Sequence, residues 1–304
     1  MHRRLLWGLM AFFLVVFVYE SAMHALVRPG VEMPAIPGGL TGQALVLVLF
    51  GLTHALYALG WRHMLVFFGL SAVISWAYEH VGVSTGWVYG PYHYTDVLGM
   101  KVGHVPALIP LAWFMMSYPS YIIANLIADG QPMTRGAPPD VFAPKAGRPA
   151  SLKAACPALP WGKNTLGGIA WVSVLSAFVM TAWDVILDPV LSGPDFKVWV
   201  WDRGGLYYGI PVQNFVGWMV TAFTVYLLYR LFERRVRLRP IGPVTRIVAI
   251  MPLVAYGAMM ISNSLVSNLG ALRVIGPVVM GLPLVAAVAR LGILPKEHDG
   301  DTSQ

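Results

Sequence analysis

Asp184 and Asp188 stand four residues apart in an apolar run, so a helix would carry both carboxyl groups on one face. Glu20 and His24 have the same spacing in another apolar run. Glu79 and His80 close a third such run, Asn214 opens a fourth, and Asn263, Ser264 and Asn268 end a fifth. Ionisable groups within hydrocarbon are costly, and each is a functional candidate on that ground. Carboxyl groups in a close, water-poor set can share a proton, deliver it to a substrate and take one back from water. Asp184, Asp188 and Glu79 are therefore the candidate acid–base set, with Asp184, the more deeply set aspartate, as the favoured proton donor. Two plainer roles stay open. One has Glu20 and His24 only tying their helix to its neighbours, and the other has Asp188, just before Pro189, as a helix end in water.

The elements that position these residues are transmembrane helices. Of 304 residues, 57% are hydrophobic and 12% charged; a soluble domain carries roughly a quarter charged residues. A helix needs about 20 apolar residues to cross the hydrocarbon. Candidate spans cover 5–27, 40–59, 64–80, 105–128, 166–188, 211–232, 244–265 and 271–294. The fold class is thus all-α, a polytopic bundle of about eight transmembrane helices in one domain over 1–295, with a polar tail at 296–304. The first span has a basic start but no clear A-x-A cleavage pattern, which favours a retained helix; its removal would leave seven.

Charge placement gives the expected orientation. With the N-terminus inside, five of the 21 Lys and Arg residues fall outside: Arg28, Lys101, Lys197, Arg203 and Arg273. The other 16 fall inside, as cytoplasmic loops prefer. Both termini are expected in the cytoplasm and the protein in the cell membrane. The loop 129–165, rich in Pro, Gly, Ala and Lys, is then cytoplasmic and expected to be loose. The net charge of +7 is accounted for by topology and by anionic lipid, with no nucleic-acid partner. All the candidate acids lie in the outer half. The inner half offers only His54 at comparable depth, which counts against a transporter or channel, because an ion path should continue inward.

Metal and redox chemistry find little support in the motifs. The eight histidines are scattered, with no H-x-x-H or H-x-x-x-H pair of the kind that diiron membrane hydroxylases use. The single cysteine, Cys156, permits no intrachain disulfide. No nucleotide-binding glycine motif stands in a suitable setting. No metal and no cofactor are expected.

Two outer segments, 81–104 and 189–210, combine glycines with aromatic residues. They carry Trp87, Tyr89, Tyr92 and Tyr94 in one, and Trp199, Trp201, Tyr207 and Tyr208 in the other. Such residues form interfacial belts, or they line lids and re-entrant segments over a cavity.

Sixteen residues from Glu79 to Tyr94, EHVGVSTGWVYGPYHY, together with Leu98-Gly99 and the run VPALIPLAW at 105–113, resemble the signature of the carotenoid biosynthesis membrane proteins that include carotenoid 1′,2′-hydratases. A second block is similar to the same family: Asp184, Asp188-Pro189, Trp199-Val200-Trp201, GLYYGIP at 205–211, Asn214-Phe215 and Gly217-Trp218. The resemblance implies addition of water to the terminal 1,2 double bond of an acyclic carotenoid end group, giving a tertiary alcohol with no redox cofactor. Gamma-carotene hydratases and the hydratases of long haloarchaeal carotenoids both belong there, and the resemblance does not choose between them. The substrate would be a lipophilic carotenoid taken from membrane lipid, with other enzymes of carotenoid synthesis as possible partners. Trp87, Tyr89, Tyr92, Tyr94, Trp201, Tyr207, Tyr208, Asn214 and Trp218 are the candidate substrate-binding residues, with Trp201, Tyr207 and Tyr208 as suppliers of aromatic faces to a cation. A carotenoid cyclase would begin with the same protonation and stays open beside hydration.

Overall fold

The computed structural model describes residues 3–26, 38–133, 165–266 and 269–291, and the side chains of these except 24–26 and 266. Eight helical spans among them are long and apolar enough to cross a membrane. They are α1 (Arg3–Leu26), α2 (Gly39–Leu59), α3 (Trp61–Thr85), α4 (Leu108–Asp129), α5 (Leu166–Leu191), α6 (Val212–Arg235), α7 (Arg246–Val266) and a last span broken at Met280 into α8 (Leu272–Val279) and α9 (Gly281–Leu291). The protein is a multi-pass, all-α membrane protein. Residues 134–164 of the expected loop, with Cys156, lie outside the described residues, as do Asn268 and the tail at 296–304; so does the side chain of His24.

Both spans that carry the candidate acid–base set run further than expected. Helix α3 continues to Thr85 and ends at Gly86, whose φ of 71° is a left-handed cap. Glu79 therefore sits inside the helix and not at its end. Helix α5 continues through Pro189 to Leu191. A proline within a helix frees the carbonyl four residues earlier. Here that carbonyl belongs to Val185, and the Tyr207 hydroxyl donates to it at 2.9 Å. Asp188 is consequently 1% exposed, and the reading of it as a helix end in water is overturned.

The same repair explains His54. Pro252 in α7 frees the carbonyl of Val248, and His54 Nε2 donates to it at 2.8 Å. The Tyr118 hydroxyl then donates to Nδ1 at 2.7 Å. Both ring nitrogens are occupied, and His54 is a structural residue.

The inner half of the bundle holds more than the sequence suggested. Arg230 and Glu233 of α6 are both buried. Arg230 donates to Asn125 Oδ1 and to Ser176 Oγ, each at 2.9 Å, and lies over the Tyr121 ring. The Tyr121 hydroxyl donates to Glu233 at 2.5 Å. The expectation of a nearly acid-free inner half is therefore corrected. Arg230 falls in the last turn of the expected span 211–232 and Glu233 just past it, before Arg234 and Arg235, so in the linear sequence they read as a helix end facing the cytoplasm.

Between this cluster and the outer half lie Phe67, Tyr118 and Tyr226, all fully buried. Phe67 meets both tyrosine rings edge-on and stacks on Tyr229 at 4.3 Å. Along α3, α4 and α6 these rings sit between Glu79 and His63, between Trp113 and Asn125, and between Trp218 and Arg230. A closely packed aromatic layer thus separates the two polar regions.

The two aromatic loops pair with each other. Strands β1 (Tyr92–Tyr94) and β4 (Trp199–Trp201) are antiparallel, with Tyr92 opposite Trp201 and Tyr94 opposite Trp199. Alternation along a strand sends successive side chains to opposite faces. Tyr92, Tyr94 and Trp199 are buried on one face, while His93 and Val200 are exposed on the other. On that outer face His93 pairs with Asp202 at 2.8 Å. A short hairpin, β2 (Lys101–Val102) and β3 (Val105–Pro106), leads into α4.

Candidate active site

Beneath the paired loops lies a cavity of about 290 Å³. One water needs only about 10–15 Å³ by this measure, so the space is ample for part of an organic molecule. Its polar wall carries Glu79, Asp188 and Asn214. Aromatic residues surround them: Tyr89, Tyr92, Tyr94, Trp113, Trp183, Trp199, Trp201 and Trp218. The lining also includes the apolar side chains of Leu40, Ala44, Leu47, Leu187 and Met259. An apolar chain with one reactive end fits a largely apolar surface that carries a few polar groups.

Glu79 accepts from three neutral donors. The hydroxyls of Tyr92 and Tyr94 donate to Oε2, the second at 2.8 Å, and Trp113 Nε1 donates to Oε1 at 3.1 Å. Burial first, and then the charge of Glu79, hold both phenols well above the ordinary tyrosine value, so they remain donors.

Asp188 is held the same way from other elements. Trp199 Nε1 and Trp201 Nε1 donate to Oδ1 at 2.8 and 3.3 Å. Asn214 Nδ2 donates to Oδ2 at 2.8 Å. The same amide donates to Asp184 Oδ2, also at 2.8 Å. Asn214 therefore bridges the aspartates, and their two oxygens lie no further apart than those two bonds laid end to end. Asp184 is fully buried and does not line the cavity; its Oδ1 has no donor among the described residues.

The other expected site residues divide clearly. Tyr89, Tyr92, Tyr94, Trp201, Asn214 and Trp218 line the cavity. Trp87 does not; it is 81% exposed at a loop tip, in the position of an interfacial anchor. Tyr207 and Tyr208 do not line it either. Tyr207 is spent on the Val185 carbonyl, and burial pushes its phenol up to about 12. Tyr208 adopts a φ of 50° in a turn and is 40% exposed. Glu20 is buried in α1 but is not on the cavity wall. Three lining tryptophans, Trp113, Trp183 and Trp199, were absent from the candidate set. Trp113 and Trp183 stand within apolar spans rather than in the loops, the one sign in the sequence that could have marked them.

Tyr89 shows how tightly the wall is built. Its hydroxyl shares a hydrogen bond with Thr221 at 2.9 Å. Its ring lies between Gly82 of α3 and Gly217 of α6, where added Cβ atoms would come within 2.7 and 2.5 Å of it. Gly217→Ala should therefore destabilise the protein by about 1–3 kcal/mol, the usual cost of overpacking. Thermal denaturation in detergent would measure this, and an unchanged transition would show that the ring and the Val88 carbonyl, which the new Cβ would also approach to 2.5 Å, both yield freely.

Matching against family models aligns residues 42–288 with the family described as carotenoid biosynthesis protein. The chain belongs to that family. This carotenoid biosynthesis protein is also similar to the bisanhydrobacterioruberin hydratase of Haloarcula japonica, with 26% identity over 156 residues, covering 51% of this chain and 41% of that protein. The chain thus spans less than half the length of the curated relative it matches. No solved structure matches it.

Proposed function

We propose that this carotenoid biosynthesis protein is a hydratase that adds water to the terminal 1,2 double bond of an acyclic carotenoid end group. The observation that carries the proposal is the cavity itself, in which two multiply hydrogen-bonded carboxyl groups share the lining with aromatic and aliphatic side chains. The hydratase name of the Haloarcula japonica relative agrees with it.

In the proposed mechanism the polyene lies against the aliphatic side chains of the cavity and its end group reaches the carboxyls. The Asp184–Asn214–Asp188 unit carries the proton. Asp184, whose Oδ1 has no donor among the described residues, is the reservoir, and Asp188, on the cavity wall, is the face presented to substrate; the Asn214 amide holds the two carboxyl groups side by side, and the proton passes directly between them. Protonation of the less substituted alkene carbon leaves a tertiary cation. Indole and phenol faces can stabilise that cation by about 1–2 kcal/mol each when water is excluded. Water adds to the cation and loses a proton to Glu79. The product has gained one hydrogen and one hydroxyl, with no change in electron count. None of these steps calls on a metal or redox cofactor.

Purified protein given an acyclic carotenoid in oxygen-labelled water should yield a pigment heavier by one water, with the label in the new hydroxyl. Label from molecular oxygen would make the enzyme a hydroxylase instead. A product of unchanged mass would mean that an internal alkene captures the cation, as in a cyclase. A transport reading would gain from the inner Arg230–Glu233 cluster, but the aromatic layer around Phe67 stands between that cluster and the cavity.

We also propose that the helices form one domain, with both termini cytoplasmic in the cell membrane, from the 16-to-5 distribution of basic residues. Reporter fusions after Lys145 and after Arg237 should give cytoplasmic signals, and one within residues 189–203 the opposite. An outside signal from the 129–165 loop would invert the site's orientation.

A further inference from the structure

Three indole N–H groups on the cavity wall already have acceptors: Trp113 donates to Glu79, and Trp199 and Trp201 to Asp188. Trp183 differs. It lines the same cavity, is 2% exposed, and its Nε1 has no acceptor among the described residues. Its ring is fixed edge-on against Trp218. Indole nitrogen can only donate, and a buried donor left without a partner is costly. The two carboxylates on the cavity wall, Glu79 and Asp188, already accept from donors of their own.

A second unpaired donor lies nearby. Asn263 of α7 also lines the cavity, and its Nδ2 has no acceptor among the described residues. One turn before Trp183 and two turns before Asn263, the Tyr256 hydroxyl donates to the Val179 carbonyl at 2.7 Å and clamps α7 against α5. The two unpaired groups thus rise from facing helices above one fixed contact. A pure hydrocarbon offers neither of them anything to bind.

We propose that Trp183, assisted by Asn263, forms an oxygen-binding subsite that holds the attacking water and afterwards the tertiary hydroxyl of the product. The subsite rests on the hydration reading and assigns to it the part of the cavity that receives oxygen. The indole N–H occupies one lone pair of the water and leaves the other to form the C–O bond. The water's proton goes to a carboxylate, and the oxygen stays on Trp183 as it becomes the alcohol. Protonation of the alkene happens without this contact, so losing it should separate cation formation from cation capture.

Trp183→Phe keeps an aromatic ring at the site and removes the donor. In deuterium oxide, a cation that is not captured loses a proton and returns deuterium-labelled alkene. The variant should hydrate about tenfold more slowly, the effect of about one hydrogen bond, and the ratio of deuterium exchange to hydration should rise by a similar factor. Equal losses of exchange and hydration would mark a structural role and overturn the proposal, as would hydration at the normal rate.

A second measurement does not depend on turnover. In protein carrying nitrogen-labelled tryptophan, the indole resonance missing from Trp183→Phe identifies Trp183. An acyclic carotenoid bearing a terminal tertiary hydroxyl should move that resonance downfield, and the parent hydrocarbon should not. If the alcohol leaves it unmoved, or fails to bind, the subsite is excluded. If wild-type protein shows the shift but hydrates nothing, the hydration reading fails while the oxygen subsite stands.

Discussion

Asp184→Asn is expected to lower hydration by about two or more orders of magnitude per folded molecule, the range for general acid–base groups. Asparagine has nearly the same shape, and its carbonyl can still accept from Asn214, which now donates to Asp184 at 2.8 Å. The new amide would fall where Oδ1 has no donor among the described residues, so it displaces no existing hydrogen bond. Only the exchangeable proton is lost. Because that proton starts the reaction, deuterium exchange into recovered substrate should fall together with hydration. The measurement is turnover of an acyclic carotenoid, normalised to monodisperse protein after size-exclusion chromatography. Near-normal hydration by well-folded protein would remove Asp184 from the acid role and leave Asp188 or Glu79 to fill it. Glu20→Gln is a suitable comparison. Glu20 is buried in α1 but lies off the cavity wall, and its substitution should do less.

Glu79→Gln should cost a comparable factor, about a hundredfold, with a different signature. The glutamine carbonyl can face Trp113 Nε1, which now donates to Oε1 at 3.1 Å. Its amide then faces the hydroxyls of Tyr92 and Tyr94, which can turn and accept. The wall should survive while the base is lost. If Glu79 takes the proton from water, the cation still forms, and deuterium exchange should persist while hydration fails. Parallel loss of both would instead place Glu79 with the aspartates in proton delivery. Asp184→Asn and Glu79→Gln therefore separate the two halves of the reaction by one ratio, measured on the same samples.

The helices were legible in the sequence because the bilayer imposes a one-dimensional rule: about 20 apolar residues per crossing. The same rule made Asp184, Asp188 and Glu79 conspicuous, since each interrupts a run that should be apolar, and the four-residue spacing of the aspartates placed them on one face. The family was likewise carried by contiguous motifs. The limits of α5 were not legible. Pro189 reads as a helix end, and it is tolerated only because Tyr207, distant in sequence, supplies the missing hydrogen bond. Arg230 and Glu233 read as a water-facing helix end for a related reason: their burial depends on Asn125, Ser176 and Tyr121 from other helices.

The partners of the candidate acids were decided by tertiary structure alone. Composition marked the loops as aromatic but did not separate Trp201, which donates to Asp188, from Trp87, which lies at the surface. That choice is made by the register of β1 against β4 and the alternation of side chains along them. Nor did the spacing of the aspartates reveal that Asn214, from the next helix, would bridge them and that only Asp188 would reach the cavity. Sequence determined which segments cross the membrane, because that follows from hydropathy along a single axis. Which donor meets which carboxylate, and which indole is left without an acceptor, depends on directional bonds between elements far apart in the chain, and only the packed fold fixes those directions.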